Sequence, residues 1–165
     1  MDAQPARSEL ERALDLAYRA VGRRERTVAE LRTCLERKRV GPEEIDAAVA
    51  KLRKAGLLDD ARFAQRFADD KREIARWGSE RIARDLHRRG VAPDLIAAVA
   101  DHGHEAELAT ALLVLEQRAP PPRGDDRARD RAWRLLLRRG YTPEIAYDAV
   151  RVYERRYSDE ARRAA

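Results

Sequence analysis

Arginine is the residue in this chain that most invites a chemical reading. Thirty-one of its 35 basic residues are arginine and only four are lysine. A guanidinium stays charged at any ordinary pH and presents a planar fork of donors that matches carboxylates and phosphates. Arg81, Arg84 and Arg88 recur at the spacing of one helical face, and Arg127, Arg131, Arg134 and Arg138 make a longer stripe of the same kind. Arg81 and Arg84, with their counterparts Arg131 and Arg134, stand in the first halves of their segments. The helix macrodipole prefers acids there, so these cations call for another reason. The pairs Arg88-Arg89 and Arg138-Arg139, like Arg37-Lys38, fall in last turns, where the macrodipole alone favours a cation by up to about 1 kcal/mol. Arg72 and Arg76 follow Lys71 and lead into Trp77, an aromatic that serves either as packing between repeats or as a stacking surface. The chemistry on offer is anion binding, and ion pairing with neighbouring Asp and Glu is the plain structural alternative.

Other chemistries find little support. His102 and His104 beside Asp101 form a short loop motif with no further cluster to complete a metal's ligand set. Asp59-Asp60 reads as a helix cap and Asp69-Asp70 as a solvated face beside Lys71 and Arg72. No Ser-His-Asp set, Walker loop or Gly-x-Gly-x-x-Gly is present. Cys34, the single cysteine, sits between Leu31 and Leu35 as a small core residue, excludes an internal disulfide and fits a reducing cytoplasm. No catalytic residue, metal or cofactor is expected. No apolar run approaches a membrane span and no secretory leader opens the chain, so a cytoplasmic protein without membrane contact is expected.

Helices must position the arginines. Of 165 residues, 39 % are charged and 5 % aromatic, and the mean hydropathy is -0.72, a composition too poor in β-branched and aromatic residues for a sheet. Ser8 with Glu11 opens an apolar stripe through Leu10, Leu14, Ala17 and Val21 as a capping box. Thr27 with Glu30 opens a second helix, and Gly41-Pro42 starts a third that Gly56 ends. Asp59 or Asp60 then caps a helix bearing Phe63, Phe67 and Ile74, and the cycle repeats. Leu35 to Ile45, Leu86 to Ile96 and Leu136 to Ala146 share one order about 50 residues apart: helix end, basic pair, glycine, one residue, then a proline-started helix. Arg39 replaces the glycine of the other two copies, which predicts a different turn there.

The expected fold is therefore all-α, three tandem three-helix repeats in an elongated, curved, right-handed or irregular array. The repeats span 8–56, 57–103 and 104–157, between a flexible arm at 1–7 and a tail at 158–165. Ala119-Pro-Pro-Pro-Arg-Gly124 is the one loop able to stiffen or reorient the third repeat. Net charge follows the same period. Residues 23–39, 71–89 and 123–139 each hold seven basic and three acidic residues, leaving the rest of a +5 chain acidic on balance. A basic patch repeated along a helical array suits a polyanionic or acidic partner that is itself repetitive.

Three segments carry a family resemblance: Arg24-Glu-Arg-Thr-Val-Ala-Glu-Leu31, Gly56-Leu-Leu-Asp-Asp-Ala-Arg-Phe63-Ala64, and Trp77-Gly-Ser-Glu-Arg-Ile82 with Leu86 and Gly90. Across residues 8–157 the chain resembles the RecX family, bacterial regulators of the RecA recombinase. It departs from that pattern at Arg39, at Ser79 where proline is common, and in the Pro120-Pro122 insertion. The resemblance implies three tandem three-helix units, no catalytic activity, and binding in the groove of the RecA–DNA filament with restraint of strand exchange and LexA coprotease activity. The implied partners are RecA and its nucleoprotein filament; a net charge of only +5 with interspersed acids predicts weak, salt-sensitive DNA contact, and the repeat architecture favours a monomer. A stand-alone nucleic-acid-binding protein acting on the phosphate backbone is the alternative, and a helical adaptor for an unrelated protein is a third.

Overall fold

Local signals decide where the helices begin. Ser8 Oγ accepts from the Glu11 N–H at 3.2 Å while the Glu11 carboxylate accepts from the Ser8 N–H at 3.0 Å, closing the capping box of α1 (Glu9–Arg23). Thr27 Oγ1 accepts from the Glu30 N–H at 3.1 Å to start α2 (Val28–Arg37), and Pro42 opens α3 (Pro42–Lys54). The two adjacent aspartates divide their labour. Asp59 caps α4 (Asp60–Glu73) through the Arg62 N–H at 3.0 Å, whereas Asp60 turns to α2 and accepts from the Val28 N–H at 2.9 Å. Burial there pushes the Asp60 carboxyl above its ordinary value, and the Val28 bond offsets this only in part.

The chain continues through α5 (Ser79–Arg88), α6 (Pro93–Ala100), α7 (His104–Arg118), α8 (Asp126–Arg139) and α9 (Pro143–Arg163). The computed structural model describes residues 8–163, and among these the fold is all-helical, built of tandem three-helix domains. The arm expected at 1–7 lies outside the described residues. Helix α9 runs past Arg156 into the expected tail.

The turn after α2 differs from expectation. Arg39 takes φ 58°, the left-handed conformation that Gly90 and Gly140 take at 75° and 87°. All three turns close with the same bond at 3.2 Å, from Val40 to the Leu35 carbonyl, Val91 to Leu86 and Tyr141 to Leu136. A helix end closed this way needs a left-handed residue whatever its side chain, so Arg39 bears a strain of about 1 kcal/mol that glycine avoids. Ile74 also departs from expectation. Helix α4 ends at Glu73, and the chain turns through the left-handed Arg76, leaving Ile74 81 % exposed.

The helices pack as two compact units. One comprises the described residues up to Gln65 with Leu86–Leu95. Its core joins Ala13 and Ala17 of α1, Leu31 and Leu35 of α2, and Ile45, Ala48 and Leu52 of α3, with Cys34 packed against it. The other comprises Arg66–Asp85 with the residues from Ile96 onward. Its core joins Ala111 and Leu115 of α7, Ala132 and Leu136 of α8, and Tyr141, Ile145, Ala149 and Tyr153 at and within α9. The proline-rich loop is tied down within this second unit. Tyr153 donates to the Ala119 carbonyl at 2.7 Å, and the Gly124 N–H donates to Glu154 at 2.6 Å. Glu154 also takes Arg129 Nε at 2.8 Å, which holds its carboxyl below the ordinary range.

Candidate functional site

In the second unit the start of α5 meets the end of α8. The N–H groups of Gly78 and Glu80 donate to the carbonyls of Arg139 and Gly140, each at 3.0 Å. Two helix ends thus satisfy each other's orphan groups. Ser79 N–H turns instead to Glu107, a carboxylate only 9 % exposed, at 3.1 Å. The contact tolerates no Cβ at Gly78, where one would overlap the Gly140 carbonyl, nor at Gly140, where one would overlap Arg81.

The same joint aims the arginines. Arg139 Nη1 donates to the Ala75 carbonyl at 2.8 Å, and the buried Tyr141 hydroxyl donates to the Arg76 carbonyl at 3.0 Å. Burial pushes the Tyr141 hydroxyl pKa far up, so it remains a donor throughout the working range. These two bonds hold the left-handed turn at Arg76, which would otherwise be unfavourable. Trp77 follows, half-buried, edge-on to Phe67 at 6.5 Å, with Arg81 over its ring at 3.9 Å and Lys71 at 5.0 Å.

Around this joint opens a cleft of about 630 Å³ lined by Arg76, Trp77, Arg81, Arg118, Arg138 and Arg139, with Ile74, Ala75, Val114, Gln117 and Leu135. Among the described residues five arginines and no acid line it. The guanidinium groups of Arg76, Arg118 and Arg138 have no hydrogen-bond or ion-pair partner among the described residues. Arg118 was not singled out from the sequence. The available signal was its place in the last turn of its triplet's first helix, where Arg23 stands in α1.

The other sequence-expected arginines divide by role. Arg131 and Arg134 line an adjoining depression of about 330 Å³ that shares Arg118 and Arg138 with the cleft. They pair with Asp125 at 3.7 Å and Asp130 at 3.1 Å, so the plain ion-pair reading accounts for them in part. Arg72 is structural: its guanidinium caps the end of α6, donating to the carbonyls of Val99 and Ala100. Arg84 and Arg127 are exposed and line neither depression.

Arg88 and Arg89 belong to a corresponding cleft in the first unit, of about 600 Å³, where the start of α2 meets the end of α5. Thr27 Oγ1 donates to the Arg89 carbonyl there at 2.6 Å. Arg24, Arg26, Arg37 and Lys38 also line this cleft, and so does one acid, Glu30, paired with Arg24 at 3.2 Å and Arg89 at 3.3 Å.

Outside these clefts little suggests chemistry. His104 pairs with Asp148 at 3.3 Å, and among the described residues no group of three or more His, Cys, Asp or Glu is placed to hold a metal. No helix among them is long and apolar enough to cross a membrane.

Comparison with known proteins matches the chain in two successive segments. Residues 13–52 match the family model of the first three-helix domain of RecX, and residues 59–99 that of the second. The regulatory protein RecX of Mycobacterium avium is 37 % identical over 153 residues, covering 90 % of this chain and 87 % of that one. That of Thermobifida fusca is 33 % identical over 144 residues, covering 85 % and 77 %. A crystal structure of RecX from Lactobacillus salivarius superimposes with a TM-score of 0.80 over 88 % of this chain and 97 % of that one, at 13 % identity, and so speaks for the fold.

Proposed function

The chain belongs to the RecX family, and on that premise we propose that it is a modulator of RecA. It binds the RecA–DNA filament through the basic cleft of the second unit and inhibits the recombinase, ATPase and coprotease activities of the filament. The observation that carries the reading is the cleft itself, with five arginines and no acid to neutralise them. A concave, uncompensated positive site attracts an anionic surface from a distance and orients it on arrival. The three repeats, 8–56, 57–103 and 104–157, then supply one scaffold helix after another on which such joints are made, in a cytoplasmic monomer.

Binding acts on the filament by mass action. A ligand that prefers one arrangement of RecA on DNA over another shifts the population by its difference in affinity for the two. A cleft that grips only the altered arrangement therefore restrains growth and turnover without any chemistry of its own.

The test is RecA's DNA-dependent ATPase. Reversing Arg76, Arg81, Arg118 and Arg138 to Glu together weakens inhibition by more than about tenfold, while reversing the exposed Arg84 and Arg127 leaves it near the wild-type level. Undiminished inhibition by the cleft variant, with helicity intact by circular dichroism, rejects the cleft as the contact. Tighter binding to naked DNA than to the assembled filament rejects the filament as the target.

A further inference from the structure

The cleft of the second unit is not uniformly polar, and the apolar part says what kind of anion it takes. Ile74 lines the cleft, 81 % exposed, the most exposed large hydrophobic side chain among the described residues. Ala75, Val114 and Leu135 line the same cleft together with the arginines. An isolated exposed isoleucine needs no explanation, but one in a concave arginine site with further apolar lining presents a mixed surface. A phosphodiester backbone has charge to offer such a surface and no aliphatic group to cover Ile74.

Trp77 points the same way. An aromatic beside arginines would serve single-stranded nucleic acid as a stacking platform. Here the ring already carries two cations, Arg81 at 3.9 Å and Lys71 at 5.0 Å, and its edge meets Phe67. The indole thus already holds Arg81 and Lys71, cations that a stacking base would have to displace. What the site leaves available is three unpartnered guanidinium groups, on Arg76, Arg118 and Arg138, beside an aliphatic patch.

We infer that this cleft docks an acidic protein segment carrying an aliphatic side chain, with carboxylates on the arginines and the aliphatic group against Ile74 and Leu135. The inference rests on the cleft being the contact surface proposed above and assigns that contact to the protein side of the filament. Arginine suits the role, since its fork takes a carboxylate by two parallel bonds.

Fluorescence anisotropy on the full chain tests it with three labelled probes: a short peptide of Glu-Glu-Leu repeats, its Glu-Glu-Ser counterpart, and a dT strand of equal charge. The Leu peptide binds about tenfold more tightly than either other probe, the gain expected from burying one aliphatic group. Ile74→Ser, at an exposed position, removes that preference, and Arg76→Ala with Arg118→Ala and Arg138→Ala removes binding. A dT strand that binds as tightly as the Leu peptide overturns the inference in favour of nucleic acid. So does a preference that survives Ile74→Ser, binding that survives the triple change, or no peptide binding at all. The titration contains no RecA. Peptide binding without inhibition of the ATPase refutes the RecA reading alone, and inhibition without peptide binding refutes the acidic segment alone.

Discussion

In the first unit the Thr27 hydroxyl reaches the Arg89 carbonyl at 2.6 Å, and in the second the Gly78 N–H reaches the Arg139 carbonyl at 3.0 Å. Thr27 and Gly78 are equivalent in the repeat, as are Arg89 and Arg139. Each joint seats the start of one repeat's middle helix on the closing turn of the next repeat's, and each opens a cleft of about 600 Å³ lined with arginine. The clefts differ at several lining positions, with Arg24 and Arg26 where the second has Ala75 and Trp77, and one exchange reverses a charge. Glu30 in the first cleft pairs with Arg24 and Arg89, whereas its equivalent in the second is Arg81, stacked over Trp77. The duplicated joint thus has two surroundings: Glu30 ties Arg24 to Arg89 in the first unit, and Arg81 adds a cation to the lining in the second.

Three kinds of change test how far the two joints really share a plan. The largest effect is expected at the glycines. Gly140→Ala puts a side chain on a left-handed residue and into Arg81, at a cost of about 3 kcal/mol. Gly90→Ala meets the Ala29 Cβ and no backbone atom closely, so its cost is somewhat smaller, about 2 kcal/mol. Denaturant midpoints measure both, and equal losses would mean that the joints are equally tight.

Exchanging the charge comes next. Arg81→Glu gives the second cleft the carboxylate of the first and weakens Glu-Glu-Leu peptide binding about tenfold. Glu30→Gln removes the acid that lines the first cleft and adds a second, weaker peptide site, visible in the stoichiometry of a calorimetric titration. Its cost in stability stays under about 1 kcal/mol because the pairs it breaks are partly exposed. Unaltered stoichiometry would show that Glu30 is not what sets the first cleft apart in binding.

The smallest effect is at the first of the three matching turns. Arg39→Gly relieves the left-handed arginine and raises stability by about 0.5–1 kcal/mol, read as a higher Tm, with peptide binding unchanged. A lower Tm would mean that the arginine side chain contributes more than its backbone conformation costs.

Much of the scaffold was legible because its causes are local. The Ser8–Glu11 box, the Pro42, Pro93 and Pro143 starts and the repeated helix end each act within a few residues, and each appears where the pattern placed it. The site was legible only in part. Its basic stripes were visible, and Arg76, Trp77, Arg81, Arg138 and Arg139 do converge. The same stripes gave no sign that Arg72 would be drawn to the end of α6, 27 residues on, or that Asp60 would leave its own helix for the start of α2. Arg118 was missed because it shares no face with the others and joins them only through packing.

Helix type, helix starts and the threefold recurrence were therefore determined by the sequence alone, since backbone capping and apolar periodicity are short-range effects. Which guanidinium groups face an open cleft and which are consumed as caps or ion pairs was decided by tertiary structure. That choice depends on which carbonyls and carboxylates distant segments bring within about 3 Å, and no spacing along one chain encodes those distances.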